Sequence, residues 1–450
     1  MKKKIILIPS NTDLNRGDQA LVWESIKIIK DVYQYKNEES EILLVQSGSD
    51  KEETDKQTNQ TKRLGYNFIV PLLKHPGRHI KNKGSRYGLM IMLLWGMQAL
   101  FDLMTSSLLL VKIRWMNKIG KLFLDERQLS ALRKFEEADA VFVKGGGMIH
   151  SFGAITDIYT AYYLVFQIMV AIRYEKDVYI LPNSIGPLNN RLVKSLVTKV
   201  LKRCKLVTVR ENISFKLVYE DLGIPTYCFP DLGFYLTPSE KDWSIYLKEK
   251  GVPIDNKKCV VVTMRPYRFA GYEHPDILYS KYIESVVNLV SYLLKSSYHV
   301  TFFAHTLGPS AHEDDRIALK QTISMLPRFC KKEITYIEDP ELTCKDAEKI
   351  YSYYDFMVGT RFHSVIFALN VGVPAIAIAY GGNKSRGIMK DFGLEDFVLD
   401  MNDLECDSIV NCFIRLEKNK DWYLRKIESA KDNVRMQRES LIDSIKNLMR

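Results

Sequence analysis

Arg361 and His363 stand two residues apart in DFMVGTRFHSVIFALNVGVPAIAIAYGGNKSRG, residues 355–387. An apolar run closes on Gly359-Thr360 before them. A helical stretch follows, then a buried strand at 374–380, then a glycine loop carrying Lys384 and Arg386. Cations and one imidazole at loop and helix-start positions suit a small, doubly anionic substrate, because the free N–H groups of a helix start favour negative charge. An imidazole titrates near neutrality, so His363 has the chemistry of a general acid or base. The plainer reading is a hydrogen-bonded core histidine, and its cationic neighbours make that less attractive.

Other candidates recur at the ends of apolar runs. Arg210 closes one in VTVREN, where it is either half of a salt bridge with Glu211 or a guanidinium for a carboxylate or phosphate. Ser184 and Gly186 follow another in LPNSIGP. Gly145, Gly146 and Gly147 end the strand of AVFVKGGG, either as a strand-to-helix turn or as a close backbone approach to a ligand. They match neither the GxGxxG fingerprint nor a P-loop. Asp18 precedes an amphipathic helix, as its cap or as an acceptor for a sugar hydroxyl. Arg265 ends VVVTMR, and His305 ends HVTFFAH ahead of His312, Asp314 and Asp315. Those four match no metal-ligand spacing, and Asp314-Asp315 beside Arg316 fits the first turn of a helix.

The elements that carry these residues alternate. Candidate strands fall at 4–9, 41–46, 139–144, 177–182, 205–209 and 226–229, then at 258–264, 298–304, 333–337, 355–358, 374–380 and 396–400. Longer helical patterns separate them, which implies parallel sheets with crossover helices and ligands beyond the carboxyl ends of the strands. The pattern restarts after a charged stretch near 235–257. The reading is α/β: two Rossmann-like, doubly wound domains facing a cleft. They span 1–235 and 236–402, with terminal helices over 403–450.

The 450 residues are 46% apolar and 26% charged, ordinary for a globular enzyme. Seven cysteines without CxxC spacing favour a reducing compartment over a zinc site. The opening MKKKIILIPSN has an apolar stretch of only about five residues, short of a signal peptide's ~7–15, and reads as a first strand. The net charge is +10, and much of it lies between Pro71 and Lys121. There Lys74, Arg78, Lys81, Lys83, Arg86, Lys112, Arg114, Lys118 and Lys121 face a single acid, Asp102. The apolar stretch 88–111 between these flanks is long enough to span a bilayer, but a central Asp102 would cost about 2.5–3.5 kcal/mol there. Gln98, Asp102 and Thr105 share one helical face. The segment 71–125 therefore reads as an insertion in the first domain: a helix lying in the membrane interface, its cations drawn to anionic lipid, or an apolar helix packed in the core.

Taken together, the motifs resemble the polysaccharide pyruvyl transferase family. The matching pieces are GDQA at 17–20, FVKGGG at 142–147, NSIGP at 183–187, VREN at 209–212, PDLGF at 230–234, the stretch from His305 to Asp315, and GTRFH through GGNKSRG. Residues 71–125 match least. The resemblance implies a GT-B-like fold and transfer of pyruvate from phosphoenolpyruvate onto a sugar as a ketal, with release of phosphate. Arg210, His363 and Lys384 lie where the family has functional residues, and Arg361 sits in the same GTRFH motif. On that basis His363 is the general acid. Arg361 and Lys384 hold phosphate, and Arg210 holds the carboxylate or phosphate of an interdomain donor site. Arg386, Asp18, Gly145, Gly146, Gly147, Ser184 and His305 are the further substrate contacts, with Asp18 on the acceptor side. No metal or cofactor is required beyond phosphoenolpyruvate as co-substrate. The acceptor would be a repeat-unit oligosaccharide on a lipid carrier. The enzyme would be cytoplasmic and peripheral at the inner face of the cell membrane, held there through 71–121.

The nearest rival is a GT-B nucleotide-sugar glycosyltransferase, whose ribose-binding acid would be Glu395 or Asp396. A non-catalytic membrane-surface scaffold would use the basic segment alone. A nucleic-acid role ranks last, since the charge sits beside an apolar helix without a recognisable module.

Overall fold

The computed structural model describes residues 2–10, 13–46, 51–74, 89–269, 271–380 and 384–449. Its first half contains strands β1 (Lys3–Ile8), β2 (Ser40–Val45), β3 (Asn67–Ile69), β4 (Ala140–Val143), β5 (Gly146–Ser151), β6 (Asp177–Leu188), β7 (Leu206–Val209) and β8 (Tyr227–Cys228). They form one sheet in the order β3-β2-β1-β4-β6-β7-β8, with β5 added on β6. The second half contains β9 (Cys259–Thr263), β10 (His299–Phe303), β11 (Ile334–Ile337), β12 (Phe356–Gly359), β13 (Ala375–Ala379) and β14 (Val398–Asp400), ordered β11-β10-β9-β12-β13-β14. All these pairings are parallel. The central strands are buried without alternation, as in Val260-Val261-Val262 and Ile376-Ala377-Ile378, because crossover helices cover both faces. The chain reverses its direction of winding at β1/β4 and at β9/β12, where doubly wound sheets place their ligands.

Two strands were not anticipated. β3 is a three-residue edge strand, too short to show a pattern. β5 begins inside the glycine run, so that run leads into another strand and not into a helix.

The chain divides into two compact units. One comprises Met1–Thr12, Leu21–Leu232 and Arg438–Arg450; the other comprises Asp13–Ala20 and Gly233–Gln437. The expected boundaries at 235 and 402 did not allow for two exchanges. Residues 13–20 group with the second unit because the buried Arg16 guanidinium donates to the carbonyls of Ala304, His305, Asp339 and Leu342. Residues 438–450 group with the first because Arg438 pairs with Asp31 at 2.6 Å while Leu441, Ile442 and Ile445 are buried. Asp18 therefore falls in the second unit and not in the acceptor-side domain.

The insertion in the first unit forms two helices, Leu89–Leu110 and Arg114–Leu122. Arg78, Lys81, Lys83 and Arg86 lie outside the described residues. The longer helix is not an apolar insertion packed in the core, since Leu93, Leu94, Met97, Leu100, Phe101 and Met104 are exposed, while Gln98, Asp102 and Thr105 share a face as expected. Asp102 is buried and accepts from Gln98 Nε2 at 2.8 Å and from the Tyr159 hydroxyl at 3.3 Å. Ser106, one turn on, is buried and bonds the Tyr162 hydroxyl at 2.8 Å. Thr105 instead bonds back to the Phe101 carbonyl of its own helix. The helix thus packs on helix Thr156–Arg173 through its polar side.

Candidate functional site

In the second unit the loops after β9, β10 and β12 carry Arg265, His305 and Arg361. Arg361 occupies the N-cap position of helix Phe362–Asn370 in an extended conformation. It is nearly buried. Its Nε donates to Asp315 Oδ1 at 2.7 Å and its Nη2 to the Glu313 carbonyl at 2.9 Å. Asp315 is fully buried and also accepts from the Thr306 N–H at 2.8 Å. Burial pushes the Asp315 carboxyl up to about 6, against the pull of Arg361, so the pair is ionised at neutral pH. Burial works against the Arg361 charge as well, and Asp315 more than offsets it, holding the guanidinium above its ordinary range.

His363 lies on the first turn of the same helix. Its imidazole presses on Gly17: a Cβ built there would lie 2.4 Å from His363 Nδ1. The glycine of GDQA is thus required by contact with the ring, since any side chain would displace it. The helix that follows is capped by Asn15, whose Oδ1 accepts from the Gly17 and Asp18 N–H groups at 3.1 and 3.4 Å. Asp18 is therefore not the cap. It lies inside the first turn and accepts from Asn15 Nδ2 at 3.0 Å. The Asn15/Asp18 spacing, close to a capping box, was the available signal.

His305, expected at the substrate surface, is instead buried at 1% exposure. Its Nδ1 bonds the Tyr351 hydroxyl at 2.9 Å, and its ring lies against Phe367. Burial, helped by the charges of Arg16, His363 and Arg361, holds it well below the usual histidine range, so it is neutral. Asp314 pairs with Arg316 through two 2.7 Å bonds, as its position in a helix first turn suggested. Arg386 is half-exposed, 3.9 Å from Asp400. Lys384 opens helix Lys384–Asp391. Its side chain and residues 381–383, including Gly381 and Gly382, lie outside what is described.

Arg265 stands outside the set of site residues that the sequence motifs imply. It follows the central strand β9, and its guanidinium lies 4.0 Å from the centre of the Tyr380 ring and 5.7 Å from that of Tyr267. Its Nε is buried without a hydrogen-bond partner among the described residues. A stacked guanidinium keeps its N–H edge available to an anion.

In the first unit Arg210 follows β7 and is buried. Its Nε donates to Ser184 Oγ at 2.7 Å, and its Nη1 pairs with buried Asp231 of PDLGF. Ser184 in turn donates to Glu211 Oε2 at 2.8 Å. Both Arg210 and Ser184 are thus engaged in a salt-bridge network, with Asp231 as the main partner and Glu211 3.8 Å away. The glycine run is accounted for by packing and backbone shape. A Cβ on Gly145 would meet Leu232 and the Pro182 carbonyl at 3.0 Å, and Gly146 has φ +150°. Gly147 lies within β5 itself.

Three comparisons bear on this arrangement. A family model described as polysaccharide pyruvyl transferase matches residues 15–382. The amylovoran biosynthesis protein AmsJ of Erwinia amylovora is 25% identical over 284 residues. That match spans 62% of this chain and 65% of AmsJ, less than two thirds of the relative's length. Among solved structures, HepE of Anabaena, in complex with UDP and glucose, superposes with a TM-score of 0.53 at 12% identity over 99% of each chain. UGT2 of Phytolacca americana, with UDP-2-fluoro-glucose and pterostilbene, gives 0.56 at 11% identity, again over 99% of each. At such identities the likeness concerns the fold, two parallel-sheet α/β domains of the GT-B kind.

Proposed function

The chain belongs to the polysaccharide pyruvyl transferase family, a family of transferases in polysaccharide biosynthesis, and from that premise we propose that it moves pyruvate from phosphoenolpyruvate onto two hydroxyls of a sugar. The observation that carries this reading is the edge of the second unit, where Arg361 and His363 stand at a helix start and Arg265 is stacked on Tyr380. The donor carries a carboxylate and a phosphate, so its site must supply cations. Asp315 and the Glu313 carbonyl occupy Nε and one Nη2 donor of Arg361, and the rest of its five-donor fork remains for an anion.

The reaction balances as follows. His363 delivers a proton to the methylene carbon of phosphoenolpyruvate, leaving C2 electron-poor. One sugar hydroxyl adds to C2 and gives up its proton, which returns His363 to its acid form. The second hydroxyl displaces phosphate from C2 and passes its proton to the leaving group, closing the ketal. Arg361, Arg265 and Lys384 neutralise the donor's charges, and Arg386 lies on the outer side of the same edge. No electrons are transferred, so the step calls for no nicotinamide or flavin. The acceptor is a repeat-unit oligosaccharide on a lipid carrier, and the enzyme works in the cytoplasm at the inner face of the membrane, against which 71–121 rests.

Phosphate release with phosphoenolpyruvate and acceptor tests the reading. His363→Ala should reduce it to background with melting unchanged, and undiminished turnover would remove His363 from the mechanism. A nucleotide sugar in place of phosphoenolpyruvate should leave the melting temperature where it was. Stabilisation by UDP-glucose alone would favour a glycosyltransferase.

A further inference from the structure

The helix Leu89–Leu110 is amphipathic in an unusual sense: its buried side carries Asp102 and Ser106 beside Ala99 and Leu109, and most of its large apolar residues point out. Asp102 and Ser106 are buried, while Leu93, Leu94, Met97, Leu100, Phe101 and Met104 recur every one to three positions along the opposite side and are each more than half exposed. By length and composition Leu93–Leu110 qualifies to cross a membrane, with mean hydropathy 1.4, yet only 22% of it is buried. It is not free to insert as a span, because Asp102–Tyr159 and Ser106–Tyr162 fasten its inner side to helix Thr156–Arg173.

The apolar face continues beyond this helix. Phe101 packs edge-on against Phe123, 5.7 Å away, and Trp115 and Leu122 of the next helix are exposed. After β5, the turn with exposed Phe152 and Ile155 is held rigid by the Asp157 carboxylate, which accepts from Ser151 Oγ, the Gly153 N–H and the Ala154 N–H at 2.8, 3.0 and 3.1 Å. That turn leads into the helix whose Tyr159 stacks edge-on with Trp95 at 5.9 Å. Soluble proteins rarely leave so large an apolar area uncovered without a use for it.

We infer that this face is a docking plane for an anionic lipid bilayer: the outer side of Leu89–Leu110 lies flat in the interface, and the 152–155 turn dips in beside it at the carboxyl edge of the first sheet. The inference deepens the membrane reading above by naming the inserting residues. Charge chooses the occupant. Arg114 and Lys118, four apart and exposed, have no carboxylate partner among the described residues, and Lys112 beside them lies 3.6 Å from the exposed carboxylate of Glu175. In a two-fold contact with a second copy, the same cations would come together. An anionic lipid surface neutralises them while the apolar side chains sink about 5–10 Å into the headgroup boundary. The placement also brings a lipid-linked sugar to the sheet edge where doubly wound folds bind ligands.

Vesicle flotation of the full chain tests this without donor or acceptor, so its failure leaves the pyruvyl-transfer reading standing, and failure of that reading leaves the surface standing. Phosphatidylcholine vesicles with about a third phosphatidylglycerol should carry the protein upward. Met97→Glu/Phe101→Glu/Met104→Glu should weaken binding about tenfold or more with melting unchanged. Arg114→Gln/Lys118→Gln should weaken it roughly fivefold per cation on anionic vesicles and hardly at all on neutral ones. A wild-type chain that stays at the bottom of the gradient with both vesicle types overturns the inference. So does a wild-type dimer that the triple substitution splits into monomers, since that would make the face a protein interface.

Discussion

Each unit places an arginine just beyond a parallel strand and holds it with a buried aspartate, Arg210 with Asp231 and Arg361 with Asp315. The surroundings differ. Arg210 meets two carboxylates, Asp231 and the more distant Glu211, along with the Ser184 hydroxyl, so its cluster has more negative than positive charge. Arg361 meets one carboxylate and one carbonyl, with His363 next to it on a helix start. The same pair of residue types thus sits among excess negative charge in one unit and in a one-to-one ion pair, with guanidinium donors to spare, in the other.

The comparison predicts its largest effects where one partner is removed. Arg210→Gln and Arg361→Gln each strand a buried aspartate and should cost about 3–5 kcal/mol in denaturant unfolding. They part on ligand: phosphoenolpyruvate should still raise the melting temperature of Arg210→Gln but not of Arg361→Gln. The reverse pattern would invert the assignment.

Acid sensitivity should belong to the second unit. Burial holds His299 down to about 4 and His305 well below the ordinary range. A neutral buried histidine contributes stability that is present above its unfolded pKa near 6.5 and is lost as pH falls toward its folded value, at up to about 1.4 kcal/mol per pH unit. Asp315 runs the other way. Its folded value of about 6 exceeds the unfolded one, so acidification from 6 toward 3.8 favours the folded state and offsets part of the loss. Unfolding between pH 7.5 and 5 should show falling stability, and His299→Gln should make the slope shallower. An unchanged slope would place the acid sensitivity elsewhere.

Gly17→Ala pushes a methyl group into the His363 side chain and should slow phosphate release by about two orders of magnitude, while overpacking costs about 1–3 kcal/mol in unfolding. Unaltered kinetics would mean that the ring's position there does not matter to the reaction. The smallest effect should be shared. Capping boxes start helix Glu126–Glu137 through Asp125 and helix Cys344–Tyr351 through Thr343, and Thr343→Ala should cost about 1 kcal/mol.

Much of the architecture was legible because parallel strands buried on both faces must be continuous apolar runs. β3 was too short for that rule, and β5 was hidden by its own glycines. Arg361, His363 and Arg210 were legible as chemistry, but their partners were not. Asp315 lies 46 positions before Arg361 and beside Arg316, which engages Asp314 instead. His305 looked like a surface ligand because nothing local reveals that Tyr351 and Phe367 close over it. Nothing local marks Arg16 as buried, since the carbonyls it serves begin 288 positions away. The apolar helix gave away its membrane-like composition but not its rotation, which Tyr159 and Tyr162 decide from another helix.

The anchoring of Arg16 has a consequence for how the molecule comes into being. Residues 13–20 are made more than 200 positions before Gly233, where the other parts of their unit begin. At about 5–20 residues per second, roughly 15–60 s pass before the carbonyls at 304 and 305 are made. Through that interval a cationic side chain destined for complete burial waits in solvent, and the second unit cannot finish folding domain by domain in the order of synthesis. Its completion needs a segment made long before the rest of it, so a fragment cut at Gly233 would lack the peg that closes it.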